Sequence, residues 1–303
     1  MKHEIIIIRY SEIALKAKYT RRIFENVLIN NIKNALKTKN IIYEIKKQRG
    51  RIYVYTKNIK TTLKILQKIF GIKTISPAIK TKSEINLIAE NALKILKEKI
   101  KENESFALRV TREGKHEYTS QDVAIHVGDI IVKNTKAKVN LTKPDHTLYI
   151  EIRGENAFLF KEKIPCQGGL PLGTQGEVLT IAEKKESILA AWYLMRRGCN
   201  IIFITTNKTI KKTLEKFLKK WFIKPEIIYI ENNKKLNETI KETISEKQCE
   251  AIATGQTIND ENLINNTKQL KKQFKLPILQ PLIAMSNDEI QQKSKEIGLI
   301  KWI

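Results

Sequence analysis

At 303 residues the chain has room for two or three domains that each bury a core, and it holds no apolar run of the roughly 18 residues a membrane span needs. Its 56 Lys and Arg against 32 Asp and Glu give a net charge of +24, which points to a polyanionic partner, most economically a nucleic acid. Three cysteines, Cys166, Cys199 and Cys249, are too few and too scattered for a disulfide framework or a zinc site, so a reducing, cytoplasmic setting is expected.

Residues 3–10 read as a strand dense in isoleucine, too short in its apolar run for a signal peptide. SEIALKAKYT follows as a polar connector carrying Lys16 and Lys18. From Thr20, the residues Ile23, Phe24, Val27, Leu28, Ile32, Ala35 and Leu36 fall at helical spacing. Residues 41–45 and 51–56 alternate as strands about an Arg49-Gly50 turn, and a helix over 61–70 completes a β-α-β-β-α unit of ferredoxin-like kind. Gly71 and Pro77 mark a boundary. Residues 84–100 are amphipathic. In the strand over 106–112, alternation sets Phe106, Leu108 and Val110 on one side, turns Arg109 away from them and leaves Arg112 at the end. Thr119 and Asp122 form a capping box before the next helix, and VNLTKPDHTLYIEIRGENAFLF supplies strands and a hairpin at Gly154-Glu155.

Up to Pro165 there are 34 basic and 17 acidic residues, a net of +17; beyond it there are 22 and 15, a net of +7. That uneven split favours a binding role over the alternative that lysine serves only solubility or thermal stability. GGLPLGTQG then punctuates a linker. A strand over 178–181 and a largely apolar helix over 187–197 follow, the arrangement that sets a helix N-terminus under a phosphate. The loop between them, AEKKES, contains no glycine. Strands over 200–205, 226–230, 251–254 (ending at Gly255) and 276–282 alternate with helices over 211–221, 236–246 and 288–297 in a doubly wound α/β unit.

GGLPLGTQG with its strand, loop and AAWYLMRRGC resembles the tRNA 4-thiouridine synthetase family. RYSEIALKAKYTRRIFENVLINNI resembles the N-terminal domain of that family, with Ser11 where glycine is usual. FALRVTREGKHEYTSQDVAIHVGDII and VNLTKPDHTLYIEIR resemble a THUMP domain, and ILQPLIAMSNDEIQQKSKEIGL the family's last strand and helix. The resemblance implies a multidomain α/β chain: a ferredoxin-like domain over 1–60, an α/β THUMP RNA-binding domain over 61–164, a linker over 165–176, and a doubly wound parallel-sheet domain like a PP-loop ATP-pyrophosphatase over 177–303. It implies the acceptor end of tRNA as partner, with Arg109, Arg112, Lys115, Lys136 and Lys138, joined by Arg9, Lys16 and Lys18, as a phosphate-contacting stripe. Singly, each of these is more often a solvated surface charge. It also implies ATP with Mg, if nucleotide binding is retained, at Thr180, Ile181, Lys184, Lys185, Ser187, Ile202, Phe203 and Gly255. Most of these would be core residues at strand ends in any such fold.

The departures are local. The family's PP-loop, Ser-Gly-Gly-x-Asp-Ser, aligns with Ala182, Glu183, Lys184, Lys185, Glu186 and Ser187, of which only Ser187 matches. Glu183 and Lys184, where the family has glycines, are expected to meet left-handed backbone at about 1–2 kcal/mol per residue. Thr254 and Gly255 open a second nucleotide motif whose continuation, QTINDENLINN, differs. No cysteine stands between Cys199 and Cys249, where the family has its nucleophile. Cys199 and Cys249 read as small buried hydrophobes, and Cys166, expected to be exposed near Lys163, is the one thiol to test. His3, His116, His126 and His146 lack metal-ligand spacing. Three readings follow: a tRNA-binding protein with sulfur transfer degraded or lost; an active ATP-dependent sulfurtransferase making 4-thiouridine at U8, or delivering sulfur in thiamine synthesis; and an adaptor for a separate modifying enzyme. A homodimer and a separate sulfur donor stay open.

Overall fold

The computed structural model describes residues 4–101 and 103–300, so His3, at the head of the expected first strand, lies outside it. The chain divides into two compact units that interleave along the sequence. The first takes the residues up to Arg9, Asn40–Gln67 and Thr74–Cys166; the second takes Tyr10–Lys39, Lys68–Lys73 and everything from Gln167. Among the described residues no helix is long and apolar enough to cross a membrane.

β1 (Ile5–Arg9) leads into a 3-10 turn over Glu12–Leu15 and then α1 (Lys18–Lys37). The polar connector therefore carries structure of its own, because Ile13 within it is fully buried. β2 (Glu44–Gln48), β3 (Arg51–Tyr55), α2 (Ile59–Leu66) and β4 (Thr74–Lys82) follow. The antiparallel order β2-β3-β1-β4 is the ferredoxin-like arrangement. β2 starts at Glu44, three residues later than expected: it is an edge strand, and Ile42, counted in its alternation, is 88% exposed.

Pro77 does not interrupt the strand. It lies inside β4, opposite Ile6 of β1. On the other side of β4 the partner changes, from β9 (Ile164–Pro165) facing Thr74 and Ile75 to β8 (Asn156–Phe160) facing Ile79 through Lys82. A residue with no N–H is tolerated in the interval between the two partners. Through β4 the sheet runs on without a break. α3 (Ile85–Lys97), β5 (Ser105–Glu113), α4 (Ser120–Thr135), β6 (Lys138–Val139) and β7 (His146–Arg153) complete a nine-stranded sheet ordered β2-β3-β1-β4-β8-β7-β5-β6 with β9 beside β4. The Thr119–Asp122 capping box starts α4 as its sequence predicts. Ile88, Ala92 and Leu96 of α3 and Val123, Val127 and Ile131 of α4 share a core with Phe106, Leu148 and Ile150 of the sheet.

The second unit carries β10 (Gln175–Ile181), α5 (Lys185–Arg196), β11 (Cys199–Thr205), α6 (Lys208–Lys220), β12 (Ile227–Tyr229), α7 (Leu236–Lys247), β13 (Ala251–Ala253), α8 (Leu263–Phe274), β14 (Ile278–Leu279) and α9 (Asn287–Glu296). All strand pairs are parallel, in the order β12-β11-β10-β13-β14. Side chains of α5, α6 and α9 form one core and those of α7 and α8 another, which makes the sheet doubly wound. α8 escapes the sequence reading because Phe274 is its one buried residue. Phe70, from the short Lys68–Lys73 insert, stacks on Trp221 at 5.5 Å and meets Trp192 edge-on at 5.6 Å.

Candidate functional site

The strand order of the second unit reverses between β10 and β13, and the crevice above such a reversal is where open α/β sheets take ligands. β10 passes into α5 through residues 182–184 alone, two residues sooner than expected. Lys184, the N-cap, is extended (φ −140°, ψ 166°), and neither it nor Glu183 has a positive φ. The expected left-handed strain is therefore absent. With the helix starting this early, no curled run of amides forms for Glu183 and Lys184 to distort.

Both charged loop side chains are held within the unit. The Glu183 carboxylate accepts from the Thr206 amide at 2.8 Å and the Thr206 hydroxyl at 2.9 Å. Lys184 Nζ donates to Asp260 at 2.5 Å, and Asp260 also accepts from the Thr257 amide and hydroxyl at 2.6 and 2.8 Å. Burial pushes the Asp260 carboxyl up, but these bonds outweigh it and hold the group below the ordinary carboxylate range. Gly255 has a steric role: a Cβ there would lie 2.2 Å from the Ser187 nitrogen, so the segment just past β13 rests on the first turn of α5. The Ser187 amide itself donates to Lys184 O at 3.1 Å.

Thr180, Ile202 and Phe203 are buried in the sheet, and Ile181 lies partly buried opposite Ile204. The Thr180 hydroxyl is buried without a hydrogen-bond partner. Lys185 is exposed. Asp260 escapes the sequence reading because it stands 76 residues from the lysine it binds. The cysteines are not poised for attack: burial pushes the thiol of Cys166 up to about 12 and that of Cys249 to about 11, and burial with nearby Glu250 raises Cys199. Cys166 is half-buried rather than exposed, which corrects the expectation for that residue.

In the first unit, β6 runs parallel to β5 with Lys138 beside Ser105, and Arg109, further along β5, donates to Leu141 O just past β6. Lys136, Lys138 and Arg109 thereby share one edge and are exposed. Arg112 donates to Gly114 O at 3.0 Å and lies 3.3 Å from His116 Nδ1, with exposed Lys115 next to it. Being three residues apart on a strand, Arg109 and Arg112 point to opposite faces. Lys16 and Lys18 are exposed and belong to the second unit.

Arg9 is placed differently from the free surface cation expected of it. Its buried guanidinium donates to Glu151 and to Ser76 Oγ, both at 2.9 Å, and lies 4.6 Å over the Phe160 ring. Glu151 also accepts from Arg51 at 2.6 Å and from Arg153 at 2.7 Å, so one carboxylate serves three arginines. Burial pushes Glu151 up, yet Arg51 and Arg9 prevail and hold it below the usual range, while burial lowers Arg9. A cavity of about 530 Å³ opens beside the cluster, lined by Arg51, Arg109, Tyr149, Phe160 and Lys163 among others, with Lys163 Nζ 4.5 Å from the Tyr149 ring centre. Arg51, Arg153 and Lys163 carry no periodic signal that would single them out in sequence. His116 meets Gly154 O, His126 meets Asn86 and His146 meets Glu104; among the described residues no cluster of metal ligands forms.

Three known domains match successive stretches: the ThiI ferredoxin-like domain over residues 5–76, the THUMP domain over 82–162 and the thiamine biosynthesis protein (ThiI) domain over 211–302. A probable tRNA sulfurtransferase of Thermococcus kodakarensis is 30% identical over 97% of this chain and 87% of its own length. The tRNA sulfurtransferase of Pyrobaculum aerophilum is 32% identical over 97% of this chain and 67% of its own. The crystal structure of PH1313 from Pyrococcus horikoshii superposes with a TM-score of 0.86 at 31% identity, covering 97% of this chain and 99% of that one. A 4-thiouridine synthetase crystallised with RNA and bound ATP superposes with a TM-score of 0.83 at 25% identity, over 98% and 85% of the two chains. A ferredoxin-like sheet fused to a THUMP domain, followed by a doubly wound parallel sheet, is thus matched by sequence and by shape over nearly its whole length, and the chain belongs to the tRNA sulfurtransferase (ThiI) family.

Proposed function

We propose that this chain is a tRNA-binding member of the family that engages the acceptor end of tRNA through the basic edge of its THUMP region, with ATP-dependent sulfur transfer degraded. The observation that carries the second half is the Lys184–Asp260 ion pair in a loop without glycine. A triphosphate needs a nest of free amides and unpaired cations. Here residues 182–184 form no nest, Lys184 is held by Asp260, and Glu183 and Glu186 bring like charge to a polyphosphate. These residues do not fit the phosphates of ATP. The raised thiols of Cys166, Cys199 and Cys249 support the same reading for the sulfur step.

The RNA-binding half is supported by the exposed Arg109, Arg112, Lys115, Lys136 and Lys138 and by the likeness to a synthetase crystallised with RNA. The second reading, a working sulfurtransferase making 4-thiouridine, is favoured by one feature: the backbone at Gly255, which opens the second nucleotide motif, still abuts the first turn of α5 with no room for a Cβ. Pyrophosphate release, measured with ATP, purified tRNA and a sulfide source, separates the two. We expect no tRNA-dependent release; robust release abolished by Lys184→Ala establishes the second reading instead. For binding, replacing Arg109 and Arg112 together with alanine should weaken all tRNAs alike, since phosphate contacts carry no sequence information. Removing the 3′ CCA end should weaken the wild type as well. Equal affinities for intact and trimmed tRNA, in wild type and double variant, would remove the acceptor end as the target.

A further inference from the structure

We infer that helix α6 of the second unit is a separate RNA-binding surface, which lays a stripe of lysines along a phosphate backbone. The inference rests on the reading above that RNA is the partner, and it concerns a surface outside both sites described. α6 buries Ile210, Leu214, Phe217 and Leu218 against the sheet. At about 100° per residue, Lys208, Lys212, Lys216 and Lys219 fall within an arc of about 80° on the opposite side of the helix. All four are exposed, and none has an acidic partner among the described residues. Glu215, at the edge of the arc, is the single carboxylate of the helix.

The spacing suits a polyanion. Lys208, Lys212 and Lys216 follow one another at steps of four residues, about 6 Å along the axis, over a helix about 20 Å long. That is comparable to the spacing of successive phosphates on a nucleic-acid strand. Lysine is a compact point charge on a flexible stem, so the stripe tracks a backbone without demanding one exact geometry, and it contributes affinity rather than sequence choice. α7 is a helix of similar length in the same sheet, and it alternates Glu238, Lys241, Glu242, Glu246 and Lys247, as a merely solvated face would.

The test compares two charge-matched variants of the full chain. One carries Lys208→Gln, Lys212→Gln, Lys216→Gln and Lys219→Gln on α6. The other carries Lys268→Gln, Lys271→Gln, Lys272→Gln and Lys275→Gln at α8, which belongs to the core on the other side of the sheet. Binding of one unmodified tRNA is measured from low to moderate salt, with far-UV circular dichroism to confirm that both variants keep the fold. The α6 variant should lower the slope of log K against log salt by about 3, at roughly 0.7–0.9 per lost phosphate contact, while the α8 variant matches the wild type. Equal changes in both variants would mean that only net charge matters, and an unchanged α6 variant would mean that the helix lies off the RNA. Either result overturns the inference and leaves the proposed function standing. Wild-type protein that binds no tRNA overturns both.

Discussion

Each unit holds a cluster in which a carboxylate restrains basic side chains, and the two are built in opposite ways. In the first unit Glu151 stands on β7 and receives Arg9 from β1, Arg51 from β3 and Arg153 from its own strand; the Glu151 and Arg9 side chains are 7% and 11% exposed. In the second, Asp260 and Lys184 come from loops, and Lys184 is 40% exposed. Strand-borne charges are fixed by the register of the sheet and shielded from water, so their attraction is little screened. Loop-borne charges are free to exchange protein partners for solvent. The first cluster therefore belongs to the architecture, whereas the second joins the loops that follow β10 and β13 and contributes little to stability.

The largest consequence of that contrast is at Glu151. Replacing it with alanine takes the counter-charge from Arg9 and Arg51, while Arg153 keeps Glu113 at 2.6 Å, and breaking a buried pair in this way costs about 3–5 kcal/mol. The expected result is a clear fall in the denaturant midpoint of the chain; an unchanged midpoint would erase the distinction between the clusters. The pH dependence sharpens it. The folded-state carboxyl lies below its ordinary value of 4.5, so its stabilisation is full above that value and is lost as the pH falls through the lower one. A Glu151→Gln variant should accordingly flatten the acid limb of a melting-temperature profile.

An intermediate effect is expected at Gly255→Ala. The added carbon would fall 2.2 Å from the Ser187 nitrogen, and neither backbone can yield cheaply. Overpacking of this kind costs about 1–3 kcal/mol, read as a lower midpoint in thermal unfolding followed by tryptophan fluorescence, since Trp192 and Trp221 both lie in the core that contains α5. The smallest effect belongs to Lys184→Ala. With the lysine part-exposed and Asp260 still bonded to Thr257, the stability change should stay below about 1 kcal/mol. A loss as large as that of Glu151→Ala would show that the crevice pair is architectural after all.

How much of this is legible in the sequence follows from how far apart the cooperating residues lie. The capping box at Thr119 and Asp122, the alternation of β5 and the apolar face of α3 depend on neighbours within one or two turns, and they read directly. The arginines of the Glu151 cluster do not, because Arg9 meets its carboxylate across 142 residues and Arg51 across 100. In isolation Arg9 looks like any surface cation at a strand end. Ile42 shows the converse failure, an isoleucine that satisfies the period of a strand while pointing into water. Loop AEKKES misleads in conformation but not in composition. Its want of glycine is plain, whereas the early start of α5, which removes the strain, becomes visible only once the backbone is laid out.

Strand β4 has a consequence beyond the site. The matches to the ferredoxin-like and THUMP domains stop at residue 76 and resume at 82, which invites their treatment as detachable parts. Yet β4 runs through that interval as one strand, pairing β1 along most of its length and handing its other flank from β9 to β8. Each part thus closes the open flank of the other, and separating them would bare two rows of unpaired amides and carbonyls, a template for sticking to other chains. A THUMP module excised from this protein at the limits of its match should be expected to aggregate. One transplanted with the whole of β4 carries half of its neighbour's seam along with it.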